Sequence, residues 1–420
     1  MTAPRLMAVT LAAAVALTAV VVAVSGAETV GDARTATDGA LAAERSATDA
    51  ELAALQARIA ELEASLSPTP PPPTTTPPPS PSPSPSPSPP SPGPCVGIAV
   101  ASGANVQAAI TAAPTGATLC LSGSFGISAP LRPKTGQSLV GPAHIFAVGA
   151  VLDGIMLKTG AGIGAVNVTI QGLRVSGFGD AAIVCWRGAR LLGNELDHNG
   201  ENGIGCGLED GGPLLIEGNS IHDNGDTAFV GQGAAAIKVA RGHDVVIRGN
   251  RVERNIGNGI WCDLECHAVT IEGNEVLGQT RKGIHFEVSR GPALVLDNTV
   301  MFNNCAPTYW PDPRPACALP DGTYGPQGAG SPGGGITTNS SCPAASTACV
   351  IRGNRLGGNM VAGINFRDDG RPEGGTKEQN GPGCCVGYDV PFNILVEGNV
   401  LGGDRLLNCS LAGITCGSNT

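Results

Sequence analysis

Aromatic side chains are scarce in this chain, 3% of 420 residues, and only 14% of the residues are charged. A core built on large rings is therefore excluded, and the interior must be narrow and made of Val, Ile, Leu and Ala. Positive charge is short too. At a net charge of −10 the chain lacks the basic footprint that nucleic acid requires. Residues 1–94 contain no cysteine, although 14 occur after them. There is no phosphate-cradling glycine loop, catalytic serine motif or His-Glu-x-x-His helix, so no ready-made motif points to nucleotide, acyl-serine or zinc-protease chemistry.

What is present is a repeat. From about residue 170 onward the chain restates an apolar pair, Gly-Asn, an apolar residue two places on, a second amide, then Gly-Ile. One copy runs from Ile247 through Asn250 and Asn255 to Gly259-Ile260, the next from Ile271 through Asn274 and Gln279 to Gly283-Ile284, and another from Ile351 through Asn354 and Asn359 to Gly363-Ile364. Asn opens the unit at 194, 219, 250, 274, 298, 354 and 399, and the second polar residue follows at 199, 224, 255, 279, 303, 359 and 404. Short alternating apolar runs with Gly and Asn at the corners read as strands. Asn and Gly both tolerate left-handed corner geometry. A repeat this short cannot bury its apolar face alone, so the copies must stack as a solenoid, with the Asn residues in ladders along it.

The repeat resembles that of the right-handed parallel β-helix proteins of the pectate-lyase-like superfamily, over about residues 105–416. The resemblance implies an all-β, right-handed parallel β-helix. It does not select an activity, because the superfamily holds lyases, hydrolases, epimerases, adhesins and non-catalytic binders. Such proteins begin with a capping helix, and Asn105 to Pro114 fits one: Val106, Ala109, Ile110 and Ala113 share a face, Asn105 caps and Pro114 stops it. Ala117–Leu121, Ser138–Val140 and Val151–Leu152 are the expected first strands. The polygalacturonase-like motifs are missing: Asn298-Thr299 continues with Val300, and Asp368-Asp369 falls in a loop. The Asp-Pro-His motif of alginate epimerases is missing too, since Asp312-Pro313 continues with Arg314.

Three segments precede the solenoid, which occupies 95–420. Residues 6–24 are uncharged and mostly apolar. They read as a secretory signal cleaved near Ser25-Gly26-Ala27, or as an uncleaved anchor, which we prefer for the length of the run; either places the rest outside the cytoplasm. In 28–66, Leu52, Leu55, Ile59, Leu62 and Leu66 follow heptad spacing, which suits a short parallel coiled coil and a homodimer through 48–66. Residues 67–94 are Pro, Ser and Thr with a single Gly, a polyproline II spacer of about 85 Å at roughly 3.1 Å per residue. The expectation is an extracytoplasmic domain anchored at the membrane and displayed at the cell surface, or secreted if the segment is cleaved.

An even number of cysteines confined to the exported part argues for disulfides. The spacing suggests Cys95–Cys120, Cys262–Cys266, Cys305–Cys317, Cys342–Cys349 and Cys409–Cys416. Cys185 and Cys206 each stand two residues after a repeat Ile, facing inward on neighbouring coils within disulfide reach. Cys384 and Cys385 are left over. A zinc site at Cys262, Cys266 and His267 lacks a second compact ligand pair.

Taking each repeat Ile as inward, the residues one and three later face out. The first column reads Val184, Gly205, Lys238, Trp261, His285, Thr337, Asn365, Thr415, and the second Trp186, Gly207, Ala240, Asp263, Glu287, Asn339, Arg367, Gly417. Polar residues bunch in the middle. Insertions at 304–334, 368–390 and 226–236 flank the same strands, and long loops on a rigid scaffold carry function. The candidate catalytic residues are Lys238, Asp263, His285, Glu287 and Arg367, with Trp261, Asn339 and Asn365 binding substrate. In a lyase, Asp263 and Glu287 would hold Ca²⁺ against a uronate and Lys238 or Arg367 would take the α-proton. In a glycosidase they would be the acid–base pair; in a binding module Trp261 would stack on a sugar. The expected function is binding, and processing if catalytic, of an extracellular, uronate-type polysaccharide. The alternative is a non-catalytic structural or adhesion protein.

Overall fold

The computed structural model describes residues 95–160, 163–207, 212–225, 233–304, 334–339, 341, 348–359, 362–367, 393–404, 406–407, 409 and 414–420. The expected anchor, coiled coil, dimer segment and Pro-rich spacer lie outside them, as do Cys305, Cys317, Cys342, Cys384, Cys385 and most of the three insertions. Among the described residues no helix is long and apolar enough to cross a membrane.

The helix Val106–Ala112 opens the domain, capped by Asn105, whose Oδ1 accepts from the Ala108 N–H at 2.9 Å. Parallel strands then wind in coils, pairing into an 18-stranded and a nine-stranded sheet. One coil is Asn258–Asp263, His267–Glu272 and Glu275–Leu277, and each of these strands pairs in parallel with its counterpart one coil on. Early strands run longer than expected, Thr118–Ile127 and Ser138–Ala147. Val151 and Leu152 form none: Leu152 is 65% exposed, and the strand there is Ile155–Met156. In the nine-stranded sheet Ile183, Ile204, Ile237, Ile260, Ile284, Ile336 and Ile364 fall in register and form one buried stack.

Two amide ladders line the corners. Asn194, Asn219, Asn250, Asn274, Asn298, Asn354 and Asn399 each donate through Nδ2 to Oδ1 of the next, every step at 2.9 Å, the last to Asn419. Asn199, Asn224 and Asn255 begin the second ladder, which continues through Gln279, Asn303 and Asn359 to Asp404. The left-handed corner is taken by the residue before each ladder amide, at φ 61° for Gly249, 55° for His198 and 51° for Arg254. The amides themselves are spared that geometry and satisfy buried backbone instead.

Cys95–Cys120, Cys185–Cys206 and Cys409–Cys416 are disulfides, with Cα separations of 5.8, 4.8 and 6.1 Å. Cys349 is disulfide-bonded as well, its partner lying outside the described residues. Cys262 and Cys266 are a correction: both are free and buried. Cys262 lies inside the coil, while the Cys266 sulfur is 3.3 Å from both the Val239 and the Asp263 carbonyl, which share its single S–H.

Candidate functional site

The nine-stranded sheet carries the columns. Its register sets Gly205 beside Lys238, Lys238 beside Trp261, Trp261 beside His285, His285 beside Thr337 and Thr337 beside Asn365. The second column sets Ala240, Asp263, Glu287, Asn339 and Arg367 in line. Both end differently from expectation. Asn365 pairs with Leu407, whereas Thr415 pairs with Leu395 in the other sheet, because the last Ile belongs to a different side of the coil. Asn339 and Arg367 are placed by backbone register alone.

The outward direction of these residues does not make them exposed, which corrects the solvated-face expectation. Trp261 is 6% exposed, Asp263 8%, Glu287 7%, His285 2%, Asn365 4% and Thr337 0%; Trp186 is buried as well. Lys238 remains partly open, its side chain 24% exposed.

The middle coils bring the expected residues together. Lys238 Nζ lies 3.7 Å from Asp263 Oδ2 and 3.8 Å above the Trp261 ring, a cation–π contact. The other side of Trp261 stacks on His285, centroids 5.4 Å apart and planes 24° off parallel. Both faces of the indole are occupied, so it cannot stack on a sugar. At its edge, Nε1 is buried and has no hydrogen-bond partner. His285 Nδ1 is 3.6 Å from Glu287 Oε2.

Lys282 was missed by the sequence columns. It is 4% exposed, with Nζ 2.9 Å from His285 Nε2. Nζ also lies 3.4 Å from Nδ1, so the Lys282 head sits against the edge of the imidazole, and which ring nitrogen accepts follows from the tautomer. Lys282 directly precedes Gly283, where a Cβ would lie 2.5 Å from Val300 Cγ1 and 2.7 Å from the Gly335 carbonyl. Only glycine lets the chain corner there and fold Lys282 back over His285. The sequence signal was available: Lys282 fills the place before Gly-Ile that Asn202 and Asn258 fill in other coils.

A second group missed by the columns lies toward the N-terminal coils. Burial, then the Asp180 charge and a hydrogen bond with Asp180, push the Glu201 carboxyl above its usual range, while Lys238 pulls the other way. Burial and Asp180 likewise raise Asp153.

Calcium fits poorly. It takes about six to eight oxygen ligands, and among the described residues no group of three or more His, Cys, Asp or Glu could hold a metal ion. Asp263 faces Lys238 and Glu287 faces His285, so the pair already has nitrogen partners.

Residues 153–314 match the family described as "Right handed beta helix region". The domain is a right-handed parallel β-helix, the pectate-lyase-like architecture that its repeat resembles. No curated protein matches the chain in sequence. Among solved structures it is similar in fold to the A-module of the mannuronan C-5 epimerase AlgE4 of Azotobacter vinelandii, at 14% identity over 72% of this chain and 91% of that one, TM-score 0.41. It is also similar to the pectate lyase Pel9A, at 14% identity over 77% and 78%, TM-score 0.40. The enzymatically active domain of bacteriophage CBA120 tailspike protein 2 shows 12% identity over 67% and 40%, TM-score 0.40.

Proposed function

We propose that the cluster around Trp261 binds an extracellular polysaccharide, with acidic, uronate-containing chains as the favoured class. The observation that carries this reading is the Trp261 Nε1–H, a buried donor without a partner among converging charged groups. Such a donor costs about 1–3 kcal/mol unless something accepts from it, and a hydroxyl or carboxylate oxygen of a glycan would do so. Lys238 and Lys282 supply positive charge for a carboxylate, and Asp263 and Glu287 accept from sugar hydroxyls. Stacked strands about 4.8 Å apart set these groups in a row along the axis, as an extended polymer requires. If the site is catalytic, His285 between Lys282 and Glu287 is the group placed to move a proton. The domain would be displayed outside the cell on its Pro-rich spacer, anchored by residues 6–24 and paired through 48–66.

The test is a glycan array with the full chain, together with release of unsaturated uronate followed by absorbance. Binding of uronate polymers that Lys282→Met abolishes supports the site. Absence of both binding and product supports the second reading, a structural or adhesion protein, which the burial of Trp261, His285 and Glu287 at 6, 2 and 7% exposure favours.

A further inference from the structure

A different outer face, on the 18-stranded sheet, holds another pair of chemistry-bearing side chains. The strands Ser138–Ala147 and Thr169–Ser176 are parallel neighbours, with His144 in register with Arg174 and Phe146 with Ser176. Across them His144 Nε2 sits 2.8 Å from Ser176 Oγ, the spacing of a nucleophile and its base. Ser176 ends its strand and is 8% exposed. Gly177 follows at φ 79°, and a Cβ there would meet nothing within 4 Å, so the backbone just past Ser176 borders open space.

The surroundings suit a base. Burial first, then the Arg174 charge, hold His144 below its ordinary value, against the opposing pull of Asp197 and Glu195, so the imidazole is neutral near pH 7. Asp197, in register with Ser176, is engaged elsewhere: it accepts from Arg174 at 2.9 and 2.8 Å and lies 2.8 Å from His198 Nδ1. Those bonds use two of the five guanidinium donors of Arg174, whose side chain is 44% exposed. The rim is apolar. The Phe146 ring lies 5.3 Å from that of His144, and Val148 and Leu152 are 52% and 65% exposed. Leu152 Cδ2 comes within 3.4 Å of where a Cβ on Gly179 would be, at the corner after Ser176.

We propose that Ser176 and His144 form a nucleophile–base pair that cleaves a short-chain acyl ester. Ser176 Oγ attacks the ester carbonyl carbon as its proton passes to His144 Nε2, and Arg174 stabilises the oxyanion. The carbonyl–alkoxy bond breaks, the leaving alkoxide takes the proton from Nε2, and the acyl group remains on Ser176. Water, deprotonated by His144, attacks the acyl-serine; the carboxylic acid leaves and Oγ regains its proton. Phe146, Val148 and Leu152 receive the acyl tail.

The test uses the full chain with a fluorophosphonate probe and with p-nitrophenyl acetate and butyrate. A probe adduct on the peptide containing Ser176 is expected, with turnover falling about 100-fold or more in both Ser176→Ala and His144→Gln. A melting temperature unchanged in Ser176→Ala shows that the loss is chemical. Ser176→Cys should react with iodoacetamide faster than the same variant carrying His144→Gln, which reads the base directly. An absent adduct at Ser176, or undiminished turnover in Ser176→Ala, overturns the proposal.

Discussion

The interior amide ladders and the outward columns around Trp261 are both stacks of polar side chains at the same coil spacing, and they behave oppositely. In the ladders coil after coil supplies an amide, with Asp404 closing the second, and each hands a side-chain oxygen to the coil before it. A group that both donates and accepts can propagate without end, so each buried polar atom is answered by the repeat itself. In the columns the successive residues are Lys238, Trp261, His285 and Thr337, no two alike. Their pairing is particular, and one donor, Trp261 Nε1, is left over. Regularity serves folding here, and departure from it leaves a buried donor that the repeat itself does not answer.

Breaking a ladder should have the largest effect. Asn274 Oδ1 accepts from both the backbone N–H and Nδ2 of Asn250, and its Nδ2 serves the Ile247 carbonyl and Asn298. Asn274→Ala strands several buried groups at about 1–3 kcal/mol each, so a loss of about 4 kcal/mol is expected from denaturant midpoints. A loss under about 1 kcal/mol would mean that the ladders are incidental.

On the columns the expectation reverses. Lys282→Met should lower glycan affinity or turnover by about 100-fold, the scale of a charge-assisted contact, with little change in unfolding midpoint. Equal affinity in the variant would remove Lys282 from the site.

Trp261→Phe sharpens the contrast further, because it keeps a ring between Lys238 and His285 while deleting the orphan N–H. Stability should hold or rise slightly, and binding should weaken about 5-fold, near 1 kcal/mol. A destabilised variant would show that the donor is already paired in the free protein.

The smallest effect concerns the ion pairs beside the ladders. Donating a hydrogen bond to the Asp223 carboxylate raises His222 although burial opposes it. Burial would raise Asp197, but Arg174 and His198 bring it down. The raised histidine contributes fully below about pH 6.5 and loses its contribution as pH climbs through the folded value. The lowered carboxylate contributes above about pH 3.9 and loses its contribution as pH falls through its folded value. Thermal melts against pH should therefore peak between about 4 and 6.5 from these groups. His222→Gln should flatten the alkaline side by under about 1 kcal/mol.

Much of this contrast was legible in the chain. Every ladder member from Asn194 to Asp404 was identified by spacing, and the columns were in correct register from Val184 to Asn365. The alignment from each repeat Ile fails at Thr415 because a Gly-Ile after a stretched coil need not return to the same sheet. Lys282 escaped because alternation on one strand cannot show a residue folding back across a glycine corner. The Cys262–Cys266 pairing failed for a similar reason: closeness in sequence set neither thiol toward the other in disulfide geometry.

What the sequence alone determined was the coil, since a repeated pattern of apolar, Gly and Asn residues has one low-energy way to stack, and local spacing encodes it. What only the tertiary structure decided was which outward residues are buried, that both faces of Trp261 are filled, and that His144 meets Ser176. Those facts depend on contacts between coils whose side chains do not repeat, and no period in the chain records them.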